Sequence, residues 1–415
     1  MSGVLSRLVR RVPPFKNMYH QIDDLKKKNE QLSQENAALR KDYTALTKRC
    51  EYIFEVEQRF EKNMSAHYES LKQEVRNAEE ELQNHRKAQD KRHEGVVARI
   101  EGNHKAIVEK EKKDVARLES ADRQLMKDIQ YYYYKGLHPD QYEENLKEWY
   151  YKRTGESLNL DNPQTYNEKI QWMKLYDSTQ IKADLADKYR VREYVKEKIG
   201  EEYLIPLLGV WEKTEDIPFD EMPEQYVLKT NHGCGYNIIV RDKKDLDIED
   251  ARKKLTKWMN TNFAYSAGLE LHYKLIKPLI IAEKYIENIN GEVNDYKVFC
   301  FNGKARYIMF LTDRQTNLKM AFYDTDWKLM PFVYSYERLA DEVPRPDNLD
   351  ELIRISEMLA EGFPHVRVDF YRLNSGEYKF GEMTFTSYSG ACLWNPPEYN
   401  QILGDLIELP ENENK

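Results

Sequence analysis

Residues 365–386 read HVRVDFYRLNSGEYKFGEMTFT, and this stretch decides how the rest of the chain is read. VRVDFY and YKFGEMTF alternate in the manner of paired strands, and Asn374, Ser375 and Gly376 between them are turn residues, so a β-hairpin is predicted. Asp369 and Glu382 then stand at adjacent points of the hairpin, where two carboxylates can share a hard cation through oxygen ligands. Arg367, two residues before Asp369, falls on the same strand face. A guanidinium beside such an acid pair can clamp a phosphate or oppose a developing oxyanion. Taken alone, the same residues would also make an ordinary surface hairpin.

Outward from the hairpin, 415 residues leave room for two or three domains. Charged residues make up 33% of the chain and aromatic residues 12%, with most aromatics after residue 130, which separates a polar front from a globular back. The net charge of −8 argues against general nucleic-acid binding. No apolar run approaches the roughly 18 residues of a membrane-spanning helix. Cys50, Cys234, Cys300 and Cys392 are dispersed, without CxxC spacing. A reducing, cytoplasmic setting is therefore expected.

Residues 1–17, MSGVLSRLVRRVPPFKN, lack a secretory core and mix Val4, Leu5, Leu8 and Val9 with Arg7, Arg10 and Arg11. They are expected to form a tail that is disordered or touches the inner, anionic face of a membrane. Residues 18–130 read as long helix. Ile22, Leu25, Asn29, Leu32, Asn36, Leu39, Tyr43, Leu46, Cys50 and Ile53 step by three and four, an a/d seam in which Asn29 and Asn36 favour a parallel dimer. A coiled coil that makes a homo-oligomer is the expectation, with a looser repeat after Phe60.

Residues 131–210 show helical periodicity in TYNEKIQWMKLYD and ADLADKYRVREYVKEKIG, and Lys188, Arg190 and Arg192 there read as a solvated basic face rather than a phosphate-facing set. From 211 onward strand-like and helical runs alternate, so the fold class is α+β. The remaining boundaries are 211–290 for a lid-like unit, 291–405 for the unit holding the hairpin, and 406–415 for a tail.

Three further motifs carry potential chemistry. In QYVLKTNHGCGYNIIV a strand with Lys229 runs into His232, Gly233, Cys234 and Gly235, small residues whose backbone amides can approach an anion. This is neither a Walker loop nor a dinucleotide fingerprint, and glycines in a turn also serve structure alone. In PLIIAEKYIE a strand ends at Glu283, Lys284 and Tyr285, with Glu287 beyond, and could present its backbone to an adenine edge. In NDYKVFCFNGKARYIMFLTDR the leading strand carries Asp295 and Lys297, and the return strand leads to Arg314. Inward charges on a sheet need partners, and phosphates or carboxylates are suitable.

In this order, with TYNEKIQWMKLYD, ADKYRVREYV, YLIPLLGV, YVLKTNHGCG, DYKVFCFNGK, RVDFY and FGEMTFT, the chain resembles the TupA-like ATP-grasp proteins of cell-surface polysaccharide loci over roughly residues 140–395. The resemblance implies an ATP-grasp fold, two α+β subdomains holding ATP, preceded here by the coiled coil. It implies that Lys229, His232, Gly233 and Gly235 bind ATP, that Glu283, Lys284, Tyr285 and Glu287 line its adenine, and that Lys297, Asp295 and Arg314 lie near its phosphates. It further implies that Asp369 and Glu382, at thirteen-residue spacing, hold Mg²⁺, and that Arg367 stabilises a tetrahedral intermediate. Where the superfamily usually has Asn two residues after the Glu, this chain has Thr384, so Thr384 is the third expected metal residue and a second ion is in doubt.

The implied activity is ATP-dependent ligation of a carboxylate to an amine through an acylphosphate. In a polysaccharide locus the carboxylate would be a uronic acid on a sugar nucleotide or glycan, and the amine an amino acid or small amino alcohol. Two alternatives stay open: a glycosyltransferase, which would prefer UDP or GDP sugars to ATP, and a non-catalytic scaffold acting through its coiled coil.

Overall fold

The computed structural model describes residues 62–78, 93–286, 294–312, 319–335, 337–339 and 343–411, with isolated residues between 27 and 59. The tail at 1–17, most of the heptad seam, Glu287 and Arg314 lie outside the described residues. The chain divides into two compact units, Met1–Arg123 and Gln124–Lys415. In the first, residues 62–78 are helical. A helix α1, His93–Lys135, begins in the first unit and ends in the second. No helix among the described residues is long and apolar enough to cross a membrane.

The second unit opens with helices α2 (Tyr142–Thr154), α3 (Tyr166–Tyr176), α4 (Gln180–Ala186) and α5 (Val191–Lys198). Helix α3 opens on a capping box: the Thr165 hydroxyl accepts from the Glu168 amide, and the Glu168 carboxylate accepts from the Thr165 amide at 3.0 Å.

Two sheets follow. The smaller is antiparallel, in the order β1 (Leu207–Trp211), β4 (Ile280–Lys284), β2 (Tyr226–Thr230), β3 (Asn237–Val240). Tyr226, Leu228, Ile280 and Ala282 form one face, buried with Leu255 of helix α6 (Ile248–Met259) in a core of its own. Period-two alternation puts Val227, Lys229, Ile281 and Glu283 on the opposite face.

The larger sheet builds on β5 (Asn294–Phe301), β6 (Lys304–Thr312) and β7 (Lys319–Asp324). Short strands β8 (Val333–Tyr334) and β9 (Glu337–Arg338) come next, then helix α7 (Leu349–Ala360) and the hairpin of β10 (His365–Arg372) and β11 (Tyr378–Thr384). Its order is β11-β10-β5-β6-β7-β9, while β8 pairs with β12 (Trp394–Asn395). A last helix, α8, spans Tyr399–Gly404. Val366, Val368 and Phe370 of β10 are fully buried in the main core with Leu352, Ile355 and Leu359 of α7. That burial leaves the odd-numbered residues of β10 to the other face.

The hairpin differs from a plain alternating pair. Asp369 lies opposite Glu382, but the next pair is Phe370 with Phe380, so Gly381 is a bulge. A Cβ on Gly381 would sit 3.0 Å from the Asp369 carbonyl oxygen. The parity change lets Tyr378 and Phe380 before it, and Met383 and Phe385 after it, all be buried. It also turns Glu382 to the face of Asp369.

Candidate active site

Five strand positions set the centre of the site. Arg367 and Asp369 on β10 are flanked by Lys297 on β5, directly opposite Asp369, and by Glu382 and Thr384 on β11, opposite Asp369 and Arg367. The Arg367 guanidinium donates from Nε and Nη2 to the two oxygens of Asp369, both at 2.7 Å, and from Nη2 to Glu382 Oε1 at 3.2 Å and Thr384 Oγ1 at 3.1 Å. The fork geometry suits a bidentate carboxylate partner and fixes the arginine with little freedom left. Lys297 donates to Asp369 and forms a 2.9 Å ion pair with Asp295. Arg367, Asp369 and Asp295 are all buried.

A third cation arrives from outside the sheet. Lys188, in the turn before α5, lies 3.5 Å from Glu382 Oε2 and donates to the Gly233 carbonyl oxygen at 2.8 Å. It therefore ties the hairpin to the glycine loop. Three carboxylates, Asp295, Asp369 and Glu382, are matched by Lys297, Arg367 and Lys188. Burial alone would raise the Glu382 carboxyl, but Lys188, Arg367 and Lys297 outweigh it and hold it at about 2. For Lys297, burial favours the neutral form, yet Asp369 and Asp295 prevail and raise it.

A second cluster lies on the small sheet. Glu283 accepts from Lys229 at 2.6 Å and from Arg192 at 3.3 Å, and Arg192 also donates to the Ile205 carbonyl oxygen. Lys188 and Arg192, read from sequence as a solvated face, are thus both turned inward, while Arg190 pairs with Asp184 at the surface. Segment 187–192 reaches both sheets because Asn231, fully buried after β2, holds it. The Asn231 amide donates to Asp187 at 2.7 Å, and the Lys188 amide donates to the Asn231 carbonyl oxygen at 2.9 Å.

The glycine loop follows. Gly233 and Gly235 have φ of +83° and +73°, the left-handed region where glycine is favoured. His232 beside them is buried, its Nε2 directed to the carbonyl oxygens of Trp258 and Thr261 and its Nδ1 to Asn231. Burial lowers its titration below the ordinary range. The ring holds the loop against the end of α6. Lys284 keeps its backbone amide on the Pro206 carbonyl oxygen, and the Tyr285 hydroxyl accepts from Arg241 at 3.2 Å. Glu283 itself is paired with cations rather than open to an adenine or ribose.

A cavity of about 370 Å³ opens beside the hairpin. Arg367, Glu382 and Thr384 line it together with Cys234 of the glycine loop, Trp149 and Arg153 of α2, and Glu270 and Tyr273. Glu270 and the helical contribution were not singled out in the sequence, because residues far apart in the chain build this wall. A larger cavity of about 490 Å³ lies at the hairpin's turn, lined by Ser375 and Gly376, and contains none of the paired acids.

The donor chemistry suits Mg²⁺. Asp369, Glu382 and Thr384 offer oxygen only, and magnesium is commonly held by one or two carboxylates with phosphate and water completing its shell. No group of three or more His, Cys, Asp or Glu side chains forms a self-sufficient metal cage among the described residues. The site fits an ion that arrives with a phosphate.

A family model described as TupA-like ATPgrasp matches residues 168–408, more than half of the chain. No curated protein sequence matches it. Among solved structures the chain is similar to D-alanine–D-alanine ligase from Bacillus anthracis, at 18% identity over 54% of this chain and 66% of that one, with a TM-score of 0.32. It is also similar to biotin carboxylase from Campylobacter jejuni, at 16% identity over 55% and 48%, with a TM-score of 0.32. An ADP complex of N5-carboxyaminoimidazole ribonucleotide synthetase matches at 13% identity over 49% and 46%, with a TM-score of 0.31. The chain spans about half to two thirds of the length of these structures.

Proposed function

This chain belongs to the TupA-like ATP-grasp family, and on that premise we propose that it is an ATP-dependent ligase joining a carboxylate to an amine through an acylphosphate. ATP and Mg²⁺ are its cofactors. Lys229 and the amides of the loop at Gly233 and Gly235 bind the phosphates, and Asp369 and Glu382 hold the ion, with Thr384 orienting Glu382. When bound, Mg²⁺ screens phosphate charge and polarises the transferring group.

The observation that carries this reading is Arg367, locked onto Asp369, Glu382 and Thr384 on the cavity wall. Its position is set before substrate arrives, so little reorganisation is needed when an acyl oxygen gains charge. In the first step a carboxylate oxygen takes the γ-phosphoryl group and ADP leaves. In the second the amine nitrogen bonds to the acyl carbon, phosphate departs, one amine proton stays on the amide and the other leaves with phosphate. Neither step requires a protein nucleophile.

The carboxylate is a uronic acid on a sugar nucleotide or glycan, and the setting is capsular or cell-wall polysaccharide synthesis; what supports this is the kinship with proteins of polysaccharide loci. Purified protein is screened with ATP, Mg²⁺, sugar-nucleotide uronates and a panel of amines, reading ADP release and amide mass together. No ADP in any combination refutes the ligase. Consumption of UDP or GDP sugars without ATP replaces it with glycosyl transfer.

A further inference from the structure

The cavity beside Arg367 has a second chemical end. Glu270 lines it and is only 6% exposed, and among the described residues its carboxylate accepts a hydrogen bond from Thr386 alone. The lining around it is aromatic, with Trp149, Phe263, Tyr273 and Tyr388. A buried acid among aromatic faces is a poor host for an anion and a good one for a compact cation.

The wall is also held deliberately. Tyr388 and Ser389 both have positive φ, +50° and +53°, which costs energy for residues with side chains. Lys174 of α3, fully buried, holds them in place: its Nζ donates to the Ser389 carbonyl oxygen and hydroxyl, both at 3.1 Å, and to Gln171 at 2.8 Å. Gln171 donates in turn to the carbonyl oxygens of Ser389 and Gly390. Lys174 lies near enough to influence the Glu270 charge without forming an ion pair with it. Burial raises the Glu270 carboxyl above its ordinary range while Lys174 pulls it down.

We propose that this end of the cavity is the amine subsite, where Glu270 receives the ammonium group of a primary amine beside the ring of Tyr388 and takes the proton that the nitrogen sheds before it attacks the acyl carbon. The assignment rests on the ligase reading, and it places the second substrate on helix α2 and on segments 263–273 and 386–393.

Full-length protein saturated with ADP and Mg²⁺ is titrated with ethanolamine and 2-phenylethylamine by ligand-observed NMR. Both are expected to bind, and Glu270→Gln is expected to weaken them at least tenfold while leaving ADP affinity within twofold. Should Glu270→Gln disturb folding, Leu393→Arg tests the same idea from the cavity's exposed edge, where Leu393 is 54% exposed. A cation there is expected to weaken amine binding at least fivefold. Amine binding that is absent in the native protein, or unchanged in both variants, overturns the subsite. Absence of ATP and ADP binding instead refutes the ligase itself.

Discussion

Lys188→Met removes a cation that joins the hairpin to the glycine loop, and its effect can be worked from the geometry. Holding Glu382 at about 2 rather than 4.5 corresponds to about 3 kcal/mol of charge stabilisation. Lys188, Arg367 and Lys297 share that effect against burial, so Lys188, the first of them, accounts for about 1 to 1.5 kcal/mol. Because the folded-state titration of Glu382 is depressed, its contribution is present above pH 4.5 and is lost as pH falls toward 2. The variant should therefore be less stable than the parent by about 1 to 1.5 kcal/mol at pH 7, with the gap closing between pH 4.5 and 2, where both forms become protonated. All six tryptophans lie after residue 148, so urea unfolding followed by their fluorescence reports the second unit. ATP affinity should fall as well, since the Gly233 carbonyl loses its 2.8 Å anchor. Equal stability at pH 7, or a gap that persists or widens on acidification, would refute the reasoning.

Gly233→Ala should be harsher than Gly235→Ala: both take a left-handed φ, but a Cβ at 233 would meet the Phe263 and Tyr236 rings at 2.9 Å whereas that at 235 meets open space. The expected losses are about 2 to 3 and about 1 kcal/mol, and similar melting temperatures for the two variants would contradict this. Glu283→Gln leaves Lys229 and Arg192 without their carboxylate at a site only 7% exposed, so thermal unfolding should reveal a loss of about 2 to 4 kcal/mol; a variant as stable as the parent would show the pair to be dispensable. The heptad seam around Asn29 and Asn36 is proposed to pair two parallel chains, so light scattering on the full-length protein should give twice the chain mass, and a single-chain mass would exclude it.

The order of motifs and the α+β class were legible in the linear chain, because helix and strand periodicities and turn chemistry are local. So was the hairpin, with Arg367 and Asp369 on one strand face. Yet Phe380 and Glu382 share parity and cannot occupy opposite faces of a regular strand. Only the bulge at Gly381, imposed by burying Phe380 and Met383 together, gives Glu382 to the site. Long-range packing likewise decided the rest. Lys188 and Arg192 looked like a solvated face until Asn231 drew their segment across both sheets, and only the packing on α6 showed the His232 ring meeting two carbonyl groups. Glu270 carries no motif, and its meaning depends on a cavity assembled from five distant segments. Residue type and spacing set what each strand could offer; which charges face one another was settled by burial, which acts between residues far apart in the chain, such as Lys188 and Glu382.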